Sequence, residues 1–488
     1  MGLVEFLPLF MFAALAILLF SGYPVAFVLG GVGLAFGFIG FFFGEFSPIQ
    51  FFNAPLRIYG GIGNNLILTA IPMFIFMGTA LERCGIARDL LNCLEVLMRR
   101  VPGGLALSVT IMGTIMAATT GIIGASVVMM TLLSLPVMLK QKYSTPLATG
   151  TIAASGTLGI LIPPSIMLVV MADLLNKSVG TLFVAALIPG LILASLYGLF
   201  IVIRCAVKPA LAPPLPADVG PSTSTAYLIM VLRSFVPPVL LIVMVLGSIL
   251  GGFATPTEAA GVGAFGAMLL GLLNLVILPT FGTKPFELHH VEVPGVDELV
   301  EAPGIWAHAR QYLQVLKESA QSTALTNAML FGLFVGATLF SYVFRSLGGD
   351  DLVIQLVELM GLGSWGLLLL IMGVVFFLGF FFDWIEITLI VLPVFSPIIA
   401  SLDFGNHVDR FELIYWFAIL MAVNLQTSFL TPPFGFALFY MKAVAPKSVK
   451  IQEIYRGIIP FVILQILGLT LVMAFPDIAL WLPRVLLN

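Results

Sequence analysis

The sequence predicts an all-α polytopic membrane protein, and three observations predict it. Charged residues make up only 9% of the 488, where a soluble domain carries about a quarter. Hydrophobic residues make up 60%, and the mean hydropathy is +1.14. The apolar residues run in stretches of about twenty without alternation, which suits helices across a ~30 Å hydrocarbon core and not barrel strands. Other classes are excluded by the same composition. A water-facing surface needs more charge. Cys84, Cys93 and Cys205 are too few for a disulfide framework. A net charge of −3 without a basic cluster does not suit nucleic acid. The sequence has no phosphate loop to draw on ATP, and no grouping of nucleophile, base and orienting residue, so an enzyme is not expected.

Met1 to Glu5 lack Lys and Arg, so the first apolar run is expected to be a retained helix and not a secretory signal. Apolar runs between turn signals give about ten crossings, near 3–20, 24–43, 64–82, 146–172, 180–203, 229–249, 257–280, 323–345, 411–441 and 457–475. Two longer blocks, 105–139 and 352–400, each hold either two crossings or one re-entrant hairpin. With both termini outside, fifteen Lys and Arg fall in the inside connections and five outside, the positive-inside sign. A hairpin and a pair of crossings have the same parity, so charge orients the chain without deciding between them. Residues 82–104, with Arg83, Arg88, Arg99 and Arg100, read as an interfacial helix. The Pro-, Ala- and Ser-rich stretch 209–226 reads as a flexible link. A polar insert, 282–322, contains His289, His290 and His308 without metal-ligand spacing. Within it, Trp306, Ala309, Leu313, Leu316 and Ala320 recur at helical spacing, which predicts an amphipathic helix on the inner membrane face. Residues 477–488 are left as a C-terminal tail.

The two halves, 1–208 and 227–476, resemble each other in order. Gly31-Val32-Gly33-Leu34-Ala35-Phe36-Gly37 parallels Gly261-Val262-Gly263-Ala264-Phe265-Gly266. Phe76-Met77-Gly78-Thr79-Ala80-Leu81 parallels Phe334-Val335-Gly336-Ala337-Thr338-Leu339. A long apolar block then follows in each half, and Ile162-Pro163-Pro164-Ser165 parallels Thr431-Pro432-Pro433-Phe434. Five crossings and one block per half is an odd count, so the second half is inverted. That is a transporter architecture with its site at the midplane.

Each half also carries a Pro pair in the middle of a crossing. A Pro pair removes two backbone donors and frees two carbonyls, which at membrane depth must face protein, water or ligand. Freed carbonyls with nearby Thr and Ser hydroxyls suit Na⁺, and half-helix N-termini suit an anion. The first long block centres on Ala118 to Ser126, small residues and hydroxyls that allow close backbone approach. The second centres on Gly379 to Thr388 and carries Asp383 and Glu386. An acid costs about 2.5–3.5 kcal/mol at the bilayer centre, and a hairpin tip facing a polar cavity would remove that cost. Asp383 can be a Na⁺ ligand, a cap of the next helix or a proton carrier. Glu386, one turn on, can equally be a structural acid.

These residues resemble the large membrane subunit of TRAP transporters, the tripartite ATP-independent periplasmic type. The resemblance rests on Ala254 to Ala260, Ala70 to Ile75, Gly156 to Ser165, Phe382-Asp383 and Thr431 to Gly435, and covers nearly the whole chain. It implies a scaffold and a mobile transport domain with two re-entrant hairpins, working as an elevator in the bacterial inner membrane. It also implies import of an organic acid with two or more Na⁺, delivery by a periplasmic binding protein, and a small four-helix subunit on a separate chain. Carried over by motif, the Na⁺ sites would be Gly121, Gly124 and Ser126 with Gly156 and Gly159, and Gly379 and Asp383 with Thr427 and Thr431. Substrate would lie near Thr119, Thr120, Ser165 and Pro433. The tip Asp383-Trp384-Ile385-Glu386 is bulkier and more acidic than the small-residue version common in the family. The insert is also longer than in many members. Such a tip points to a keto acid or small carboxylate and away from a sialic acid. The alternative reading is a stand-alone anion symporter that needs no partners.

Overall fold

The computed structural model describes residues 3–120, 123–214, 220, 223–280, 304–432 and 435–487. In the first half the helices are α1 (Leu7–Leu19), α2 (Val25–Phe42), α3 (Pro48–Ile58), α4 (Ala70–Arg83), α5 (Ile86–Met98), α6 (Gly104–Thr120), α7 (Ile123–Lys140), α8 (Thr145–Thr157), α9 (Ile166–Leu174) and α10 (Val179–Val207). In the second half they are α11 (Ser224–Ser234), α12 (Val236–Leu250), α13 (Pro256–Leu272), α14 (Leu278–Thr280), α15 (Ile305–Ser346), α16 (Gly349–Met360), α17 (Ser364–Leu378), α18 (Trp384–Ser401), α19 (Leu413–Leu430), α20 (Phe436–Val444), α21 (Ile451–Ala474) and α22 (Asp477–Leu486). Among the described residues there is no strand. Among the described residues, nine helices are long and apolar enough to cross a bilayer, or up to 11 if each bent helix pair counts as one span.

The repeated glycine motifs prove to be the places where the halves cross. α2 packs along α15, and α13 along α4. A Cβ at Gly33 would lie 3.2 Å from the Phe340 Cα, and one at Gly336 would strike the Ala26 carbonyl. In the mirrored crossing a Cβ at Gly263 would lie 2.6 Å from the Met77 sulfur. Small residues are needed because lipid gives helices no hydrophobic reason to associate. Close backbone packing has to supply the attraction. The two crossings, with α1 on α2 and α12 on α13, form one bundle. The second bundle contains α6–α10 and α17–α22. Its own mirrored contacts are α7 on α20 and α18 on α9. Asn65 Nδ2 to Asp173 Oδ1 at 2.6 Å, Arg345 to the Pro393 carbonyl at 2.5 Å, and the Phe20 ring against Phe381 bridge the bundles.

Several expected boundaries move. The block 352–400 is not one hairpin. Gly361 in the left-handed region (φ 60°) ends α16, and the chain turns by 118° into α17, so the hairpin arms are α17 and α18. α16 instead matches α5, the helix expected over 82–104, and each precedes its hairpin. α5 buries Ile86, Leu90, Leu91 and Leu94, largely against α6 and α4. The expected surface helix at 306–320 is corrected more strongly. It is the first part of α15, a continuous helix of 42 residues, about 63 Å at 1.5 Å per residue, twice the hydrocarbon thickness. Its inner face is held by Tyr312 Oη to the Met268 carbonyl (2.9 Å), Arg83 to Glu318 (3.0 Å) and Thr79 to Thr323 (3.3 Å). Trp306 and Leu313, on the stripe read as membrane-facing, are exposed and away from these contacts. Residues 281–303, with His289 and His290, lie outside the described residues.

The link 209–226 is tied at its start, where the Leu211 carbonyl accepts the Ser144 N–H at 2.8 Å. It is already helical by Ser224, because the Thr223 hydroxyl caps the Ala226 N–H. The C-terminal tail is a helix, α22, with Ala479, Leu480 and Pro483 buried against α10. Arg484 pins it by bonds to both carboxylate oxygens of Glu412, at 2.7 and 2.5 Å, and to Asp477 at 2.8 Å. The first of these acids holds the guanidinium pKa above its usual value.

Candidate functional site

Both Pro pairs interrupt helices as expected. α8 ends at Thr157 and tightens through a 3₁₀ turn, Leu158–Ile160. The chain then runs without helix to Ser165, whose backbone is extended and which precedes α9. In the other half α19 ends at Leu430, and α20 resumes at Phe436 after Gly435 in the left-handed region (φ 49°). Ser165 Oγ donates to the Ile160 carbonyl at 2.6 Å, so one freed carbonyl is retained by the break itself.

Each hairpin turns back beside the break of its own half. A Cβ at Gly156 would lie 3.2 Å from the Val127 Cα, and one at Gly113 would lie 2.8 Å from the Ser155 Cβ. A Cβ at Gly379 would collide with the Ser428 side chain. Polar ties repeat the symmetry. Ser155 Oγ donates to Thr110 Oγ1 at 3.3 Å, fastening α8 to α6. Asn424 Nδ2 donates to the Met372 carbonyl at 2.7 Å, fastening α19 to α17.

The structure therefore brings the two expected groups together in part. In the first, Gly124 and Ser126 open α7, with Ser126 buried next to the Val127–Gly156 contact, and Gly159 is buried in the 3₁₀ turn. In the second, Gly379 ends α17 beside Ser428, the neighbour of Thr427. Thr427 Oγ1 donates to the Val423 carbonyl at 2.9 Å and Thr431 Oγ1 to the Thr427 carbonyl at 2.8 Å. Each hydroxyl gives its proton to its own helix, and its lone pairs are left as acceptors. Gly121 and Pro433, with the side chains of Thr119 and Thr120, lie outside the described residues.

Asp383 is the N-cap of α18. Its Oδ1 accepts the Trp384 N–H at 2.7 Å, and Glu386 Oε2 reaches back to the Asp383 N–H at 3.1 Å. This is a capping box in which both acids serve the helix start. The alternative of a structural cap is thus realised for both, and it occupies one oxygen of each.

Sequence reasoning missed three groups. Tyr440, on α20, lies over the first tip, where a Cβ at Gly124 would be 3.0 Å from its ring. Gln426 and Thr157 meet across the halves, Gln426 Nε2 donating to Thr157 Oγ1 at 3.4 Å. One signal was available for Gln426: it sits with Asn424, Thr427 and Ser428 in a polar cluster of a helix that is otherwise apolar, and such groups inside a membrane are costly. Nothing in the sequence paired it with Thr157, 269 residues away.

Residues 12–478 match the family model for the tripartite ATP-independent periplasmic transporter, DctM component. The chain belongs to that family. A C4-dicarboxylate TRAP transporter large permease protein of Pseudomonas aeruginosa is 30% identical over 439 residues, covering 90% of this chain and 91% of its own. The sialic acid TRAP transporter large permease protein of Vibrio cholerae is 27% identical, over 96% and 97% of the two chains. The ectoine TRAP transporter large permease protein of Halomonas elongata is 27% identical, over 97% and 98%. Among solved structures, the YdaH transporter of Alcanivorax borkumensis superposes with a TM-score of 0.54 over 89% of this chain and 88% of that one, at 14% identity, a likeness of fold. As a member of that family of transporter permeases, the chain is a multi-pass membrane transport protein and not an enzyme.

Proposed function

We propose that the chain is the membrane transport subunit of a Na⁺-coupled, binding-protein-dependent importer of an organic acid, in the bacterial inner membrane with both termini periplasmic. Its partners are a separate small four-helix subunit and a periplasmic substrate-binding protein. The carrying observation is the pair of broken helices, each with a hairpin turned back beside its break. In this reading the hairpins are re-entrant and the oxygens at the breaks take Na⁺. The bundle of α6–α10 and α17–α22 moves as an elevator against the bundle of α1–α4, α12, α13 and α15. Helices α4 and α6, and α15 and α18, pack across the boundary between the bundles, and that boundary is where the motion would slide.

The substrate class follows from charge. Asp383 and Glu386 stand together at the second tip, where a second carboxylate on the substrate would be repelled. A small monocarboxylate such as a keto acid fits better than a dicarboxylate. The driving force suffices: each Na⁺ gains about 2.3 kcal/mol per 100 mV, and a tenfold gradient adds about 1.4. Two ions supply about 7.4 kcal/mol, one negative charge carried inward costs about 2.3, and roughly 5 remains for accumulation.

The test is uptake of labelled organic acids into proteoliposomes holding the chain with its small subunit and binding protein. Uptake of monocarboxylates is expected only with Na⁺ and only with the binding protein. Uptake unchanged when K⁺ replaces Na⁺ would remove the Na⁺ sites. Uptake by the chain alone would favour the stand-alone symporter.

A further inference from the structure

Gln426 is fully buried on α19, a helix 94% buried inside the protein. Its Nε2 donates to Thr157 Oγ1 at 3.4 Å, and Thr157 in turn gives its proton to the Ala154 carbonyl at 2.9 Å. Because that proton is committed, the amide must present its nitrogen to Thr157, and its oxygen points elsewhere. Oε1 is buried and has no hydrogen-bond partner among the described residues. A buried acceptor left in that state is costly and demands a counterpart. α8, α19, α17 and α18 carry no Lys, Arg or His that could provide one. The position is also particular: Thr157 is the last residue of α8 before its break, and Gln426 lies one turn before the break of α19. Among the described residues, this is the side-chain hydrogen bond that joins the two broken helices.

We propose that Gln426 Oε1 is a ligand of a coupling cation where the two broken helices meet, so that one bound cation ties the first repeat to the second. The inference rests on the Na⁺-coupled reading and adds to it, since the motif-based sites keep each ion within one half. An amide oxygen is a hard, neutral donor, which suits an alkali cation. A cation bridging the halves would couple occupancy of one repeat to the packing of the other.

The test is the melting of the purified full chain in detergent, in NaCl or in choline chloride at equal ionic strength, with NaCl titrated. Wild type is expected to melt higher in NaCl. Gln426→Leu should fold, because the orphaned acceptor is gone, and should melt in choline at or above wild type. Its Na⁺ midpoint should rise at least about tenfold, the loss of one good ligand. Gln426→Glu, which keeps an oxygen and adds charge, should keep or lower the midpoint. If the Leu variant does not fold, Gln426→Asn, which withdraws the oxygen by one methylene, should fold and raise the midpoint. A wild-type Na⁺ midpoint preserved in the Leu or Asn variant would overturn this inference alone. The absence of any Na⁺ effect on wild type would overturn the Na⁺-coupled reading with it.

Discussion

Gly457→Leu is expected to keep the second bundle from assembling. α21 and α8 cross at Gly457 and Gly150, and each glycine faces the other helix's backbone. A Cβ at Gly457 would strike the Pro146 carbonyl and lie 3.0 Å from the Gly150 nitrogen. One at Gly150 would strike the Gly457 carbonyl. Backbone atoms in two rigid helices have no rotamer by which to yield. Overpacking a core against side chains costs about 1–3 kcal/mol, and here the cost should exceed about 4, the exceptional range for a single change. The matched control is Gly261→Ala on α13, which meets nothing within 4 Å and gains about 0.8–1 kcal/mol of helix propensity. Size-exclusion profiles and melting in detergent read both. A monodisperse Gly457→Leu protein melting like wild type would mean that the two helices can part without loss.

Asp383→Asn should separate the two roles of this acid. Asn caps a helix about as well as Asp, whereas Ala loses about 0.5–2 kcal/mol. The Asn variant should therefore melt close to wild type, and Asp383→Ala lower. Uptake is expected to fall at least about tenfold in both, because a neutral amide cannot offset a cation in a low-dielectric site. Full uptake by the Asn variant would reduce Asp383 to the capping role seen in its bond to the Trp384 N–H.

The sequence alone determined the fold class and the broken helices. Each of these is written in composition or in local chemistry. Twenty apolar residues must be helical in lipid, because every backbone group there needs an internal partner. A Pro pair must break a helix wherever it sits. The glycine motifs were legible as a repeat, but not as the crossing points, since the partner of Gly33 is Phe340 and not a neighbour in sequence. The lengths of elements were less legible. α15 absorbs the stripe from Trp306 to Ala320 because Tyr312 and Glu318 find partners on α13 and α4, which amphipathic spacing cannot show. Tertiary structure alone decided which oxygens meet. Gln426 and Thr157 are buried polar groups in separate halves, and only the packing of α19 against the end of α8 makes them neighbours. The physical reason is range. Backbone constraints act over a few residues, whereas a site between two repeats depends on contacts whose sequence separation exceeds half the chain.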